Sequence, residues 1–119
     1  MRPIPTQMLI HVADILTPIS VDEYHKAQYS KTRVRRVCLQ TASDTGKSAT
    51  NTTVQRKATL FVDARLSTPR VDWFAEKAKA DNVGGDMKVI WAGYQYTVAD
   101  IQVLLDDHGH VHHYEMGLF

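Results

Sequence analysis

The sequence predicts a mainly β protein: a small antiparallel β-barrel or sandwich of about six strands, with one short helix and a long polar loop. Three observations carry that expectation. Short runs rich in β-branched and aromatic residues recur along the chain, separated by turn residues. Most connections are short enough for sequential hairpins, which favours antiparallel pairing. Only one stretch, following Ser67-Thr68-Pro69, carries helix-start signals. At 119 residues the chain has room for a single domain, 1–119, with one modest core.

The elements follow in order. Residues 1–6, punctuated by Pro3 and Pro5, read as an extended N-terminal arm. Gln7–Ala13 alternates Met8, Ile10 and Val12 against Leu9 and His11, as a strand does. Residues 14–32 read as irregular and polar, with Pro18 as a breaker and Tyr24 and Tyr29 anchoring the chain on the core surface. Arg33–Gln40 predicts a second strand whose basic side chains face solvent. Residues 41–57 hold one aliphatic side chain larger than alanine, Val54, and read as a long loop or a hairpin standing off the body.

Ala58–Asp63 predicts a third strand. A helix is expected next, with Thr68 as N-cap and Pro69 in its first turn. It would bury Val71, Phe74 and Ala78 and stop at Asn82-Val83-Gly84-Gly85. Met87–Trp91 and Tyr94–Leu105 form a hairpin across Ala92-Gly93. In the longer strand the apolar positions are even at Tyr96 and Val98 but odd at Ile101, Val103 and Leu105. A side-chain period of two cannot change parity without an extra residue, so a bulge is expected near Ala99-Asp100. Asp106–Gly109 turns the chain, and His110–Phe119 closes it as a strand with Tyr114, Met116 and Leu118 inward.

Composition narrows the function. The net charge is +1, but residues 1–60 carry nine basic and four acidic side chains, whereas residues 61–119 carry five and nine. The first part is therefore +5 and the second −4, a polar distribution that the total conceals. No apolar run is long enough to span a bilayer, so no membrane partner is expected. The opening Met1-Arg2-Pro3-Ile4-Pro5 lacks the apolar stretch of a signal peptide. A lone cysteine, Cys38, fits a reducing compartment, and with no export expected the Asn51-Thr52-Thr53 sequon carries no glycosylation meaning.

No catalytic constellation emerges, and neither an enzyme nor a cofactor is expected. Gly46-Lys47-Ser48 imitates the end of a phosphate-binding loop, but the required earlier glycine falls on Thr41. Cys38 sits between Val37 and Leu39 with no histidine beside it, as a buried strand residue would. Asp106 and Asp107 are adjacent and explained by a turn. His108, His110 and His112 would share a face if extended and are the candidates for a metal, though packing and turn roles account for them more simply. Lys31 to Lys57 is the remaining feature: Arg33, Arg35, Arg36, Lys47, Arg56 and Lys57 among Ser and Thr suit contact with a phosphate backbone. No aromatic residue is interleaved there for base stacking.

Several segments in order point to one family. They are Arg2-Pro3-Ile4-Pro5 with Met8-Leu9-Ile10-His11, Leu60-Phe61-Val62-Asp63 with Ser67-Thr68-Pro69, Trp91-Ala92-Gly93-Tyr94-Gln95-Tyr96-Thr97-Val98, and His112-His113-Tyr114-Glu115-Met116. Together they resemble the minor capsid protein family of tailed bacteriophages, similar to the head-completion or stopper proteins of the head–tail connector. Residues 14–57 match that pattern least, and Trp73–Gly85 is longer and more helical.

The resemblance implies a virion protein of the neck, assembled in the host cytoplasm as a ring of twelve or six copies. Its partners would be portal and adaptor proteins above, a tail-completion or tail protein below, and packaged double-stranded DNA in the channel, held without sequence preference. It also implies a channel-gating loop within 41–57, carried by Ser43, Asp44, Thr45, Gly46, Lys47, Ser48, Asn51, Thr52 and Thr53. The basic residues named above would then lie near DNA. The alternative expectation is a small barrel that binds nucleic acid through its basic 31–57 surface.

Overall fold

The computed structural model describes residues 8–41 and 57–119. They form six strands and one helix: β1 (His11–Val21), β2 (Ala27–Thr41), β3 (Ala58–Asp63), α1 (Trp73–Val83), β4 (Lys88–Trp91), β5 (Tyr94–Leu105) and β6 (Val111–Leu118). Every pairing is antiparallel, and the strand order β1-β2-β3-β6-β5-β4 closes into a barrel. Closure runs through β1 and β4, paired only at Asp14–Ile90, Ile15–Val89 and Leu16–Lys88. The mainly β fold expected from the sequence is therefore the fold observed, and of barrel and sandwich it is the barrel.

The interior follows from strand alternation. Ile15, Val34, Val37, Leu60, Val89, Met116 and Leu118 are fully buried, one set of inward positions meeting at the axis. Helix α1 packs on β1 and β5 and contributes Trp73 and Ala80 to the same core.

Several features differ from the sequence expectation. The first strand starts at His11 rather than Gln7, and Met8, Ile10 and Val12 are exposed while Leu9 is buried. Residues 14–32 are not irregular: β1 continues through Pro18 to Val21 and turns tightly into β2. The turn is built by Asp22, whose Oδ1 accepts the N–H groups of Tyr24 and Lys26 at 2.8 and 2.9 Å. His25 there takes a φ of 63°, and Tyr24, expected as an anchor, is 75 % exposed. Pro18 is tolerated because β4, the neighbour on that edge, pairs with β1 no further than Leu16.

The helix begins later than expected. Thr68 does not cap it, because Thr68 N–H and C=O both bond to Arg35 of β2. Asp72 caps instead, its Oδ1 accepting from Ala75 N–H at 3.1 Å, and Thr68-Pro69 is a cis peptide. The buried face moves accordingly to Trp73 and Ala80, one heptad apart, leaving Phe74 54 % exposed and Ala78 also outside. Gly84 ends the helix with φ 81°, where the glycine run was expected to stop it.

The β4–β5 hairpin turns on Ala92 and Gly93, both at positive φ (51° and 83°), as a two-residue connection of this twist requires. The β5–β6 register shifts between Val98 and Asp100, which places the bulge at Ala99 and returns Ile101 to the interior. Leu105, expected inward, is 51 % exposed because the register shifts again beyond Leu104 at the hairpin end.

Candidate functional site

The basic strand is the feature of the barrel wall that the sequence singled out. Lys31, Arg33 and Arg35 are exposed on β2, on the face opposite the buried Val34. Arg33 is paired across the ladder with Asp14, Nε to Oδ1 at 3.1 Å, and that contact holds the guanidinium proton above its ordinary affinity. Arg36 departs from the row. It is the extra residue where the β1–β2 register shifts from His11–Val37 to Val12–Arg35, and its φ is 61°.

A buried network holds this bulge. Ser67, 1 % exposed, donates its hydroxyl to the Arg36 carbonyl and accepts from Asp63 N–H at 2.9 Å. Asp63 Oδ1 in turn accepts from Arg65 and Leu66 N–H. Bulge, β3 end and β3–α1 loop thus form one hydrogen-bonded unit, with the Arg35–Thr68 bridge beside it. In the sequence Ser67-Thr68-Pro69 resembles a helix start; its long-range role has no local signature. On the far rim, β2 and β3 pair as far as Thr41–Ala58. Lys57 is exposed there, its N–H donating to the Leu118 carbonyl at 2.7 Å.

The channel-loop residues Ser43, Asp44, Thr45, Gly46, Lys47, Ser48, Asn51, Thr52 and Thr53, together with Arg56, lie outside the described residues, as does the arm 1–6.

The histidines do not form the extended row expected. Asp106 Oδ1 accepts the N–H groups of His108 and His110 at 2.8 and 2.9 Å, curling the chain so that the strand begins at Val111. Those same two bonds hold the Asp106 carboxyl below its ordinary range. His112 is half-buried and bonds Nδ1 to Nδ1 with His113 at 2.7 Å, and His113 Nε2 meets Glu115 at 2.9 Å. Among the described residues no three metal-ligating side chains converge to hold an ion. A cleft of about 560 Å³ beside them is lined by Arg65 and Asp107 as well as the histidines, a mixture of charges without a common chemistry.

Cys38 is buried on the outer side of β2, and desolvation raises its thiol. Tyr114 is likewise raised, by burial and then by the neighbouring charge of Asp72. Neither lies within a nucleophile–base pair among the described contacts.

Fold and surface together define a small closed antiparallel barrel with a basic strand in its wall. Compared with known proteins, the chain matches no family model, no curated protein and no solved structure.

Proposed function

We propose that this protein is a structural virion subunit: a head-completion or stopper protein of a tailed phage, forming a ring that links portal and adaptor to the tail and gates the DNA channel. The observation that carries the reading is the pairing of Thr41 with Ala58 at the barrel rim. A segment dominated by Ser, Thr and other small or polar residues joins two positions that the barrel wall holds side by side. That is the arrangement a gating loop needs, namely a stiff collar presenting a chain with few cations to grip DNA phosphates. Residues 42–55 contain one lysine, Lys47, against one aspartate, Asp44, and the cations Arg56 and Lys57 immediately precede β3 in the sequence.

Ring closure requires unlike surfaces of neighbouring copies to meet, and the opposite charge of residues 1–60 and 61–119 supports such a contact. The role is architectural and uses no cofactor. Its test is deletion of residues 43–54 in assembled particles. Heads carrying the shortened protein are expected to assemble and then lose DNA; heads that retain DNA as well as intact ones would overturn the gating role.

A further inference from the structure

Strand β2 is longer than its pairing on one side. It meets β1 along Ala27–Val37 but β3 only from Val37 to Thr41. On the β3 side, Ala27–Val34 has no strand partner among the described residues, and Arg35 is met there by Thr68 alone. That bridge fixes which backbone groups face outward. Arg35 exchanges both its N–H and C=O with Thr68, so they point away from β1. Alternation along an antiparallel strand then turns the N–H and C=O of Arg33, Lys31 and Tyr29 the same way. Pro18 agrees: it stands opposite Tyr29 and has no N–H to offer β2, as a pair whose backbone groups face apart requires.

The two faces beside this edge have distinct chemistry. Outward stand the exposed Lys31, Arg33 and Arg35, of which Arg33 is already paired with Asp14 of β1, so the incoming carboxylates fall to Lys31 and Arg35. On the other face Ser30 and Thr32 line a cleft of about 400 Å³ with Pro18, Trp73 and Val83, its helix side also carrying Glu76, Lys79 and Asn82. Trp73 is 1 % exposed, and its indole N–H has no hydrogen-bond partner among the described residues.

We propose that the Tyr29–Arg33 edge is a docking site for an extended acidic segment of a partner protein, which adds to β2 as a strand. Alternate carboxylates of that segment would lie against Lys31 and Arg35, and the intervening small apolar side chains would enter the cleft beside Trp73. A peptide fits this edge better than a nucleic acid, because the edge offers donors and acceptors in turn whereas phosphates only accept. A second copy of this chain fits less well, since its sequence nowhere places two carboxylates two residues apart. The inference is independent of the connector reading.

The probe is a blocked synthetic peptide alternating Asp and Val, titrated against the full chain by tryptophan fluorescence and by amide hydrogen exchange. Saturable binding is expected, with new protection at the amides of Tyr29, Lys31 and Arg33 but little change at Ser30 and Thr32. A peptide with Lys in place of Asp should bind at least about tenfold more weakly. Lys31→Pro removes an N–H that the β1 ladder does not use and should abolish binding. Two N-methylated peptides keep the test independent of that variant's folding: methyl groups on the amides facing β2 should abolish binding, and those on the alternate amides should spare it. Absence of saturable binding, equal loss with both methylated series, or unchanged exchange at the three amides would overturn the proposal. So would protection of those amides already present in the free chain, whether constant or rising with protein concentration, or preference of the same edge for duplex DNA.

Discussion

The Ser67 hydroxyl joins the Arg36 carbonyl to the Asp63 N–H, tying the β2 bulge to the end of β3 from within the protein. Ser67→Ala leaves both backbone groups without that partner in a buried position. It is expected to cost about 1–3 kcal/mol, read as a lower urea midpoint with an unchanged slope. Amide exchange should accelerate at Asp63 and Val37 before the rest of the barrel responds.

Asp72 has two separable effects, a helix cap and a charge near Tyr114. Asp72→Ala is expected to lose about 0.5–2 kcal/mol of stability, while Asp72→Asn, which still caps, should lose less. Both should lower the Tyr114 titration, followed by tyrosinate absorbance, without restoring it to the ordinary 10.0, because burial is the larger cause. The sign for stability follows. The folded Tyr114 holds its proton to higher pH than the unfolded chain does, so below 10.0 it makes no pH-dependent difference, and as pH rises from there through the folded value stability falls.

Gly85 lies where a Cβ would sit 2.7 Å from Pro18 Cβ and 3.0 Å from Pro18 Cγ. The proline ring cannot swing aside as a flexible side chain would. Gly85→Ala is therefore expected to destabilise by about 1–3 kcal/mol, measured by thermal unfolding, by pushing the β1–β2 hairpin from the helix end.

Acid should loosen the β5–β6 turn before the barrel. Asp106 is held below its ordinary value by the N–H groups of His110 and His108. Its contribution is thus complete above the unfolded carboxylate value of 3.8 and lost as pH falls through the lower folded one. The check is amide exchange at His108 and His110 on acidification, and Asp106→Ala should show the faster exchange already at neutral pH.

Cys38 has its thiol raised by burial, so at neutral pH it should react with an aromatic disulfide reagent far more slowly than in denaturant. Rapid modification of the native protein would contradict its place in the wall.

Local chemistry made much of this fold readable. The Ala92-Gly93 hairpin needs only residues able to take positive φ, and the Ala99 bulge was announced by the parity change between Val98 and Ile101. Features set at a distance were not readable. Pro18 looks like a breaker until the neighbouring strand is known to stop at Leu16, and Thr68 looks like a cap until Arg35 claims its backbone. The surface was legible in part. The exposure of Arg33 and Arg35 follows from alternation, but the role of Arg36 depends on a register shift. Likewise, the histidine pattern at 108, 110 and 112 assumes an extended chain that Asp106 prevents.

Strand β4 is four residues long, yet it joins β1 to β5 and so completes the circle, through three residue pairs on one side and four on the other. The β1–β2 and β5–β6 ladders are each far longer. The barrel is therefore two long ribbons joined through β3 on one side and through the short β4 on the other, where α1 also packs on both β1 and β5. Loss of the three β1–β4 pairs would open the circle while β2 stays bonded to β3 and β1 stays packed on α1. This seam is where the barrel loses its closure at the cost of the fewest strand pairs.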